Sequence, residues 1–223
     1  MRKLQIPLSK AHKIISPRIA YIVTTIDPKS RVNAAVFSNL TSVSTQPERL
    51  VLGVYKSWDT IKNIKETREF VVNVPSKQLI DKVWICGDKY AGNPIPTGIN
   101  ELSIAGLTEI SSEKVKPPRI KECYGHLECK VVWIKDVGDH YLVLSDIIAA
   151  SFTQGIFNQN YAQDIKVSQP LMEISNGFFT FPEKTIKVDR NKLKKFVKKE
   201  LKTRNIKLSK KLQNYEKVVF SEE

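Results

Sequence analysis

Cysteine is scarce in this 223-residue chain: Cys86, Cys123 and Cys129 are the full set, no two form a CxxC pair, and the odd count leaves one over. A disulfide framework of the small secreted kind is therefore excluded, and buried free thiols in a reducing compartment are expected. Long hydrophobic runs are also missing. No apolar stretch approaches the roughly 20 residues that span a bilayer, so no membrane insertion is expected. The opening MRKLQIPLSKAHKII interrupts its apolar positions with charge too often for a secretory signal, which makes a cytoplasmic protein the expectation. Histidine occurs three times, as His12, His126 and His140, and no metal site is expected. No GxGxxG is present, so any nicotinamide nucleotide would be held without a Rossmann domain.

Acidic charge runs short at one end only. The chain carries 36 Lys and Arg against 23 Asp and Glu, a formal net charge of +13. Between Lys184 and Lys217, 14 basic residues face 3 acidic ones. The body is nearly balanced and the tail is basic. This sets an expected boundary: a domain over residues 1–183 and a basic, helical extension over 184–223. In the extension Leu193, Phe196, Val197, Leu201, Leu208 and Leu212 fall near helical spacing, Asp189 or Asn191 can cap the start, and Asn205 can divide the helix. Two readings of its lysines stand side by side: the solvated face of a docked helix, or a surface for a polyanion or membrane. Nucleic-acid binding through this tail is the competing function from a different class, disfavoured because only Phe196 and Tyr215 interleave with the charge.

With 41% hydrophobic residues the body has the composition of a globular core. Residues 18–26, 32–37, 49–55 and 69–74 are β-branched runs bounded by turn residues and read as strands, the first two as a hairpin. Asp59 is placed to cap a short helix, TIKNIKET, whose Ile61 and Ile64 share a face, and Ser76 to open another through Trp84. From 84 to 118 Gly, Pro and Asn recur and periodicity is lost, the pattern of a binding excursion or lid. Residues 124–137 and 140–151 flank Gly138-Asp139 as a long hairpin. Many strands, few short helices and no regular alternation point to a mainly β architecture, a barrel with helical additions.

Charge is absent from one stretch where a lysine-rich chain would be expected to show it, NAAVFSNLTSVS, from Asn33 to Ser44. A strand that dissolves into hydroxyls, followed by KSWDT at a helix start, supplies what a phosphomonoester needs: hydroxyls, backbone N–H groups and the positive end of a helix dipole. Ser57, the Trp58 amide, Thr60 and Ser44 are the candidate donors. The apolar AAVF and LTSV would suit the face and edge of a planar ring. Turns and edge strands are the alternative reading of the same hydroxyl-rich segment.

The order VNAAVFSNLTSVSTQPERLVLGV, then DTIKNIKETREFVVNV, GINELSIAGLT, PPRIKECYGHLECKV and GDHYLVLSDIIAA, resembles the flavin reductase-like family, whose domain is the FMN-binding split barrel; flavoredoxins are similar members. The resemblance covers roughly Pro17 to Phe181. It implies a split β-barrel in which Asn33, Ala34, Phe37, Ser38, Asn39, Ser42, Val43 and Ser44 line the isoalloxazine and ribityl chain, and Ser57, Trp58 and Thr60 hold the phosphate. His140 matches a Gly-Asp-His that opens a strand near the flavin or the incoming nicotinamide, although a histidine that merely starts a strand reads the same way. His12 and His126 receive no role. The resemblance further implies a homodimer with flavin near the interface, FMN as cofactor, NADH or NADPH as electron donor, and an electron acceptor of unspecified kind; an FMN-binding or electron-shuttle protein without NAD(P)H activity is the alternative. Two departures stand out: the basic tail, and the lack near Lys56-Ser57-Trp58-Asp59 of the arginine that relatives often carry.

Overall fold

A computed structural model describes residues 3–87, 92, 95–96, 98–175, 177–186 and 188–203. The chain forms two compact units, Met1–Lys184 and Thr185–Glu223.

In the first unit a 3₁₀ segment (Leu8–Ile15) precedes β1 (Arg18–Ile19), β2 (Tyr21–Ile26), β3 (Val32–Phe37), β4 (Leu40–Thr45) and β5 (Glu48–Tyr55). Then come α1 (Asp59–Thr67), β6 (Glu69–Val74), α2 (Ile80–Cys86), α3 (Glu101–Ala105), β7 (Glu109–Ile110) and β8 (Arg119–Ile120). The long hairpin β9 (Gly125–Asp136) and β10 (His140–Phe152) follows, then α4 (Ile165–Ser168), β11 (Met172–Ser175) and β12 (Phe178–Thr180). Strands β3, β2, β6, β9, β10, β5 and β4 form one sheet in that order, antiparallel throughout, while β1 pairs with β11 in a smaller one.

The edges of the large sheet are β3 and β4, yet only Ser38 and Asn39 separate them in sequence. A chain that passes in two residues from one edge to the other forces the sheet to curl until its edges meet at one end, and the gap that remains is the split of the barrel. The uncharged hydroxyl run is thus an edge strand, β4, the alternative reading of its donor pattern. At the crossing Asn39 accepts from the Gly53 N–H at 2.8 Å, and a Cβ at Gly53 would stand 3.3 Å from the Asn39 Cβ. Any larger residue at Gly53 would have to push the crossover a few tenths of an ångström away from β5.

β2 and β6 are buried on both faces, which is why their sequences run apolar with little alternation. Ile22 packs with Leu79, Val83, Leu102 and Ile120 on one side. Val23 joins Leu52, Phe70, Val72, Val143 and the α1 residues Ile61 and Ile64 on the other. The three cysteines are buried and unpaired; burial pushes the Cys86 thiol up to about 12. That is the inert state expected of core thiols.

Several local expectations need correction. The run 18–26 is broken at Ala20, whose N–H turns to Leu171 O at 2.9 Å, so its first two residues belong to the smaller sheet. Asp59 does not cap α1: it is the first helical residue, behind Trp58. Ser76 makes no side-chain cap, and a 3₁₀ turn (Lys77–Leu79) precedes α2. Within the excursion, α3 is capped by the Asn100 side chain accepting from Leu102 N at 3.0 Å.

His126, almost fully buried in β9, presents Nε2 to Ile120 O at 2.8 Å and Nδ1 to Ser151 Oγ at 3.2 Å. The carbonyl can only accept, so Nε2 carries a proton, and in the neutral ring Nδ1 accepts from the Ser151 hydroxyl. Burial, chiefly, pulls its pKa below the ordinary 6.5. Below that pH the unfolded chain takes up a proton that the folded chain refuses, so stability falls as pH drops through 6.5 and below. Urea titrations between pH 7 and 5 should show this loss, at most about 1.4 kcal/mol per pH unit for one proton, and His126→Gln should flatten it. An unchanged slope would mean that other groups set the acid limit.

The second unit holds α5 (Arg190–Thr203). Asp189 Oδ1 caps it by accepting from Lys192 N at 2.9 Å, and Leu193, Phe196 and Val197 are exposed. Asn205, Leu208, Leu212 and Tyr215 lie outside the described residues.

Candidate functional site

β3 is paired with β2 on one side only. Ala34 stands opposite Thr24 and Val36 opposite Ile22, and the Ala34 N–H turns away from β2 to donate to Glu101 Oε2 at 2.9 Å. Antiparallel alternation then sends the Val36 N–H the same way, outward from the sheet. Outward of Val36 lies a cavity of about 650 Å³. Val36, Phe37, Ser38 and Asn39 line it together with Tyr55, Trp58 and His140, and with Trp84 and Phe179.

The aromatic members are mutually fixed. Phe37 and Trp58 meet edge-on at 5.4 Å, Tyr55 and Trp58 lie 5.9 Å apart, and Tyr55 and His140 meet edge-on at 5.3 Å. Trp84 and Phe179 form another edge contact at 6.1 Å. His140 Nδ1 pairs with Asp139 Oδ1 at 2.7 Å; that bond holds the Asp139 carboxyl below its usual range. Arg18 and Glu173, Cα partners across β1 and β11, also line this space. Arg18 Nη1 donates to Asn39 Oδ1 at 2.6 Å, its Nε is buried with no hydrogen-bond partner among the described residues, and Ser38 Oγ donates to Glu173 Oε2 at 2.7 Å.

At the other end of β3, Asn33, Ala34, Trp58, Asp59 and Thr60 surround a smaller space of about 40 Å³, beside Cys86 and Glu101. Asn33 Nδ2 reaches Thr60 Oγ1 at 3.3 Å, and Asn63 Nδ2 reaches Thr25 Oγ1 at 3.1 Å. α1 begins here without a side-chain cap. Its first N–H groups, from Asp59 onward, have no intrahelical acceptor. The Trp58 amide is already closed into a turn, donating to Tyr55 O at 3.2 Å, so it is not the free donor expected from the sequence. The Asp59 carboxylate is engaged by Lys62 Nζ at 2.7 Å, which leaves the helix entrance less hostile to an anion.

The structure therefore brings Phe37, Ser38, Asn39, Trp58 and His140 to the large cavity, and Asn33, Ala34 and Thr60 to the small one. Ala34 contributes no free donor, because its N–H is held by Glu101. Ser57 is exposed in the turn before α1. Ser42, Val43 and Ser44 sit on β4, where a bulge lies between Ser42 and Ser44 and leaves Val43 exposed; none of the three lines either space. Arg18 and Glu173 were not among the residues singled out from the sequence, being far from the Asn33–Ser44 segment along the chain; Trp84 and Glu101 fall in the 84–118 excursion expected to be a binding segment or lid.

Residues 15–172 match the flavin reductase like domain. The chain belongs to that family. Among family relatives, it is 30% identical over 182 residues to an uncharacterized protein of Aquifex aeolicus, covering 78% of this chain and 90% of that one. A second, from Methanothermobacter thermautotrophicus, is 31% identical over 174 residues, covering 75% and 78%. The flavoredoxin of Methanosarcina acetivorans superposes with a TM-score of 0.73 at 23% identity, covering 88% of this chain and all of the other. Nitrilotriacetate monooxygenase component B from Bacillus cereus gives 0.72 at 18%, covering 84% and 98%. A Shewanella frigidimarina protein described by its split barrel domain gives 0.72 at 13%, covering 82% and 93%. The fold is thus the mainly β split barrel expected from the sequence. No described helix is long and apolar enough to cross a membrane, and no metal-binding cluster of His, Cys, Asp or Glu occurs among the described residues.

Proposed function

We propose that this chain binds FMN and transfers electrons from NADH or NADPH through it, as a homodimeric flavin oxidoreductase. The observation that carries the reading is the outward N–H edge of β3, which faces a cavity bounded by aromatic rings and runs back toward the uncapped start of α1. A flat, acceptor-rich ring with a phosphate tail fits those features. The orphan N–H groups of α1, the Thr60 hydroxyl and the Ser57 hydroxyl hold the phosphate. The Val36 N–H, Ser38 and Asn39 meet the ring edge, and Phe37, Tyr55 and Trp58 exclude water. Asp139 orients His140, whose Nε2 is left to hydrogen-bond a second molecule at the opening. Bound flavin supplies hydride acceptance and onward electron transfer.

Exposed Trp133, Ile148 and Phe152 on the long hairpin and exposed Phe178 provide apolar surface that a second copy would cover. Freshly purified protein should be yellow or turn so with FMN, bleach at about 450 nm when NADH or NADPH is added without air, and sediment at twice 25.4 kDa. Flavin that binds but resists both nucleotides would leave an FMN carrier or electron shuttle; a colourless protein that does not quench FMN fluorescence would remove the whole reading.

A further inference from the structure

We infer that Arg18 is the electrostatic partner of the flavin ring, its guanidinium facing the pyrimidine edge, N1 and the C2 carbonyl, where it favours the reduced ring. The inference rests on the FMN site proposed above.

An arginine kept for structure has its buried donors satisfied. Arg18 does not: Nη1 is bonded to Asn39 Oδ1, but Nε is buried without a partner among the described residues. Its support is rigid. Asn39, the residue it grips, is clamped through its carbonyl, which accepts from the Gly53 N–H at 2.8 Å. Glu173, opposite Arg18 in the strand pair, is engaged by Ser38 Oγ. The guanidinium is thus held on the cavity wall with donor capacity left over.

Its place along β3 decides what it meets. The phosphate donors cluster at the Asn33 and Thr60 end. Arg18 lies with Ser38 and Asn39 at the other end, about 17 Å of strand away at about 3.3 Å per residue. A ligand whose phosphate occupies the first end presents its ring, not its phosphate, to the second. Two-electron reduction of that ring by one hydride from a reduced nicotinamide adds two electrons and one proton. The net negative charge gained is shared by N1 and the C2 oxygen. A fixed cation there strengthens binding of the reduced form more than the oxidised one.

The test compares FMN-loaded wild type with Arg18→Gln and Arg18→Lys, reading the midpoint potential against a reference dye and the Kd of oxidised FMN by fluorescence quenching. Exchanging a charged hydrogen bond for a neutral one should weaken reduced FMN about tenfold relative to oxidised FMN, which for a two-electron couple is a potential about 30 mV lower. Arg18→Lys, keeping the charge, should recover most of the shift. An unchanged potential in Arg18→Gln overturns the inference, and so does an equal shift in both variants, which would assign the effect to packing. A higher KM for the electron donor with no change in potential also overturns it, placing Arg18 against the anion of the second substrate instead. Failure of wild type to bind FMN at all would sink the parent reading, a result distinguishable from each of these.

Discussion

Riboflavin is expected to bind this chain a hundredfold or more weaker than FMN. The phosphate is the part of the ligand for which the structure offers the most unspent donors: the first N–H groups of α1, with no side-chain cap in their way, and the hydroxyls of Ser57 and Thr60. Hydrogen bonds to a charged oxygen contribute about 1.5–3 kcal/mol each, so two of them are enough for a ratio on the order of a hundred. The helix dipole adds a term of the same sign, about 0.3–1 kcal/mol where exposed. Against this stands Asp59, but its carboxylate is partly neutralised by Lys62. Parallel titrations with FMN and riboflavin measure the ratio directly. Asp59→Asn should leave FMN binding intact or strengthen it, whereas Thr60→Val should narrow the ratio, since it deletes one donor and leaves the Asn33 amide only its 3.4 Å contact with Thr25 Oγ1. Near-equal affinities for the two flavins would show that the phosphate projects into solvent and that the entrance to α1 is not its site.

Phe70→Ala is expected to lower the stability of the chain by about 3–5 kcal/mol, the range found for truncating a buried aromatic. Phe70 is completely buried in β6 and packs in the cluster that holds Val23, Leu52 and Val143, and beneath α1 Ile61 and Ile64. β6 is an inner strand, paired with β2 on one side and β9 on the other, so the cavity left behind cannot be filled by an edge strand sliding inward. Since domains of this kind are stable by only about 5–15 kcal/mol, the loss should move the urea midpoint far down with little change in slope. Phe70→Leu, which fills much of the space, should lose much less. The functional consequence follows from position: α1 rests on this cluster, and its N-terminus is the proposed phosphate site. A truncation that left the midpoint in place would mean that the two sides of the sheet do not share one cooperative core.

What could be read without coordinates was whatever is decided within a few residues. Strand β3 falls at Val32–Phe37 and β6 at Glu69–Val74, as their β-branched composition predicts, and α1 runs Asp59–Thr67 because Ile61 and Ile64 repeat at helical spacing. Gly138-Asp139 closes the hairpin between β9 and β10. The family resemblance named the split barrel and an edge on which to look for a flavin. Local rules misjudged the caps, since Asp59 and Ser76 have the right chemistry but the backbone enters each helix one or more residues away from where it would be used.

The tertiary structure alone decided which backbone groups stay unpaired. That β3 and β4 are opposite edges of one curled sheet depends on strand order, a sum of pairings between residues as distant as Tyr55 and His140, and no local pattern encodes it. Tertiary packing likewise carries the Arg18 side chain to Asn39 and the Glu101 carboxylate to the Ala34 N–H, groups far apart along the chain. Composition and periodicity determined that strands would form, because φ/ψ preference and alternate burial are properties of each short segment. Which edge would be left open to receive a ligand was settled only when the whole sheet closed, because a hydrogen bond is missing only relative to every strand that could have made it.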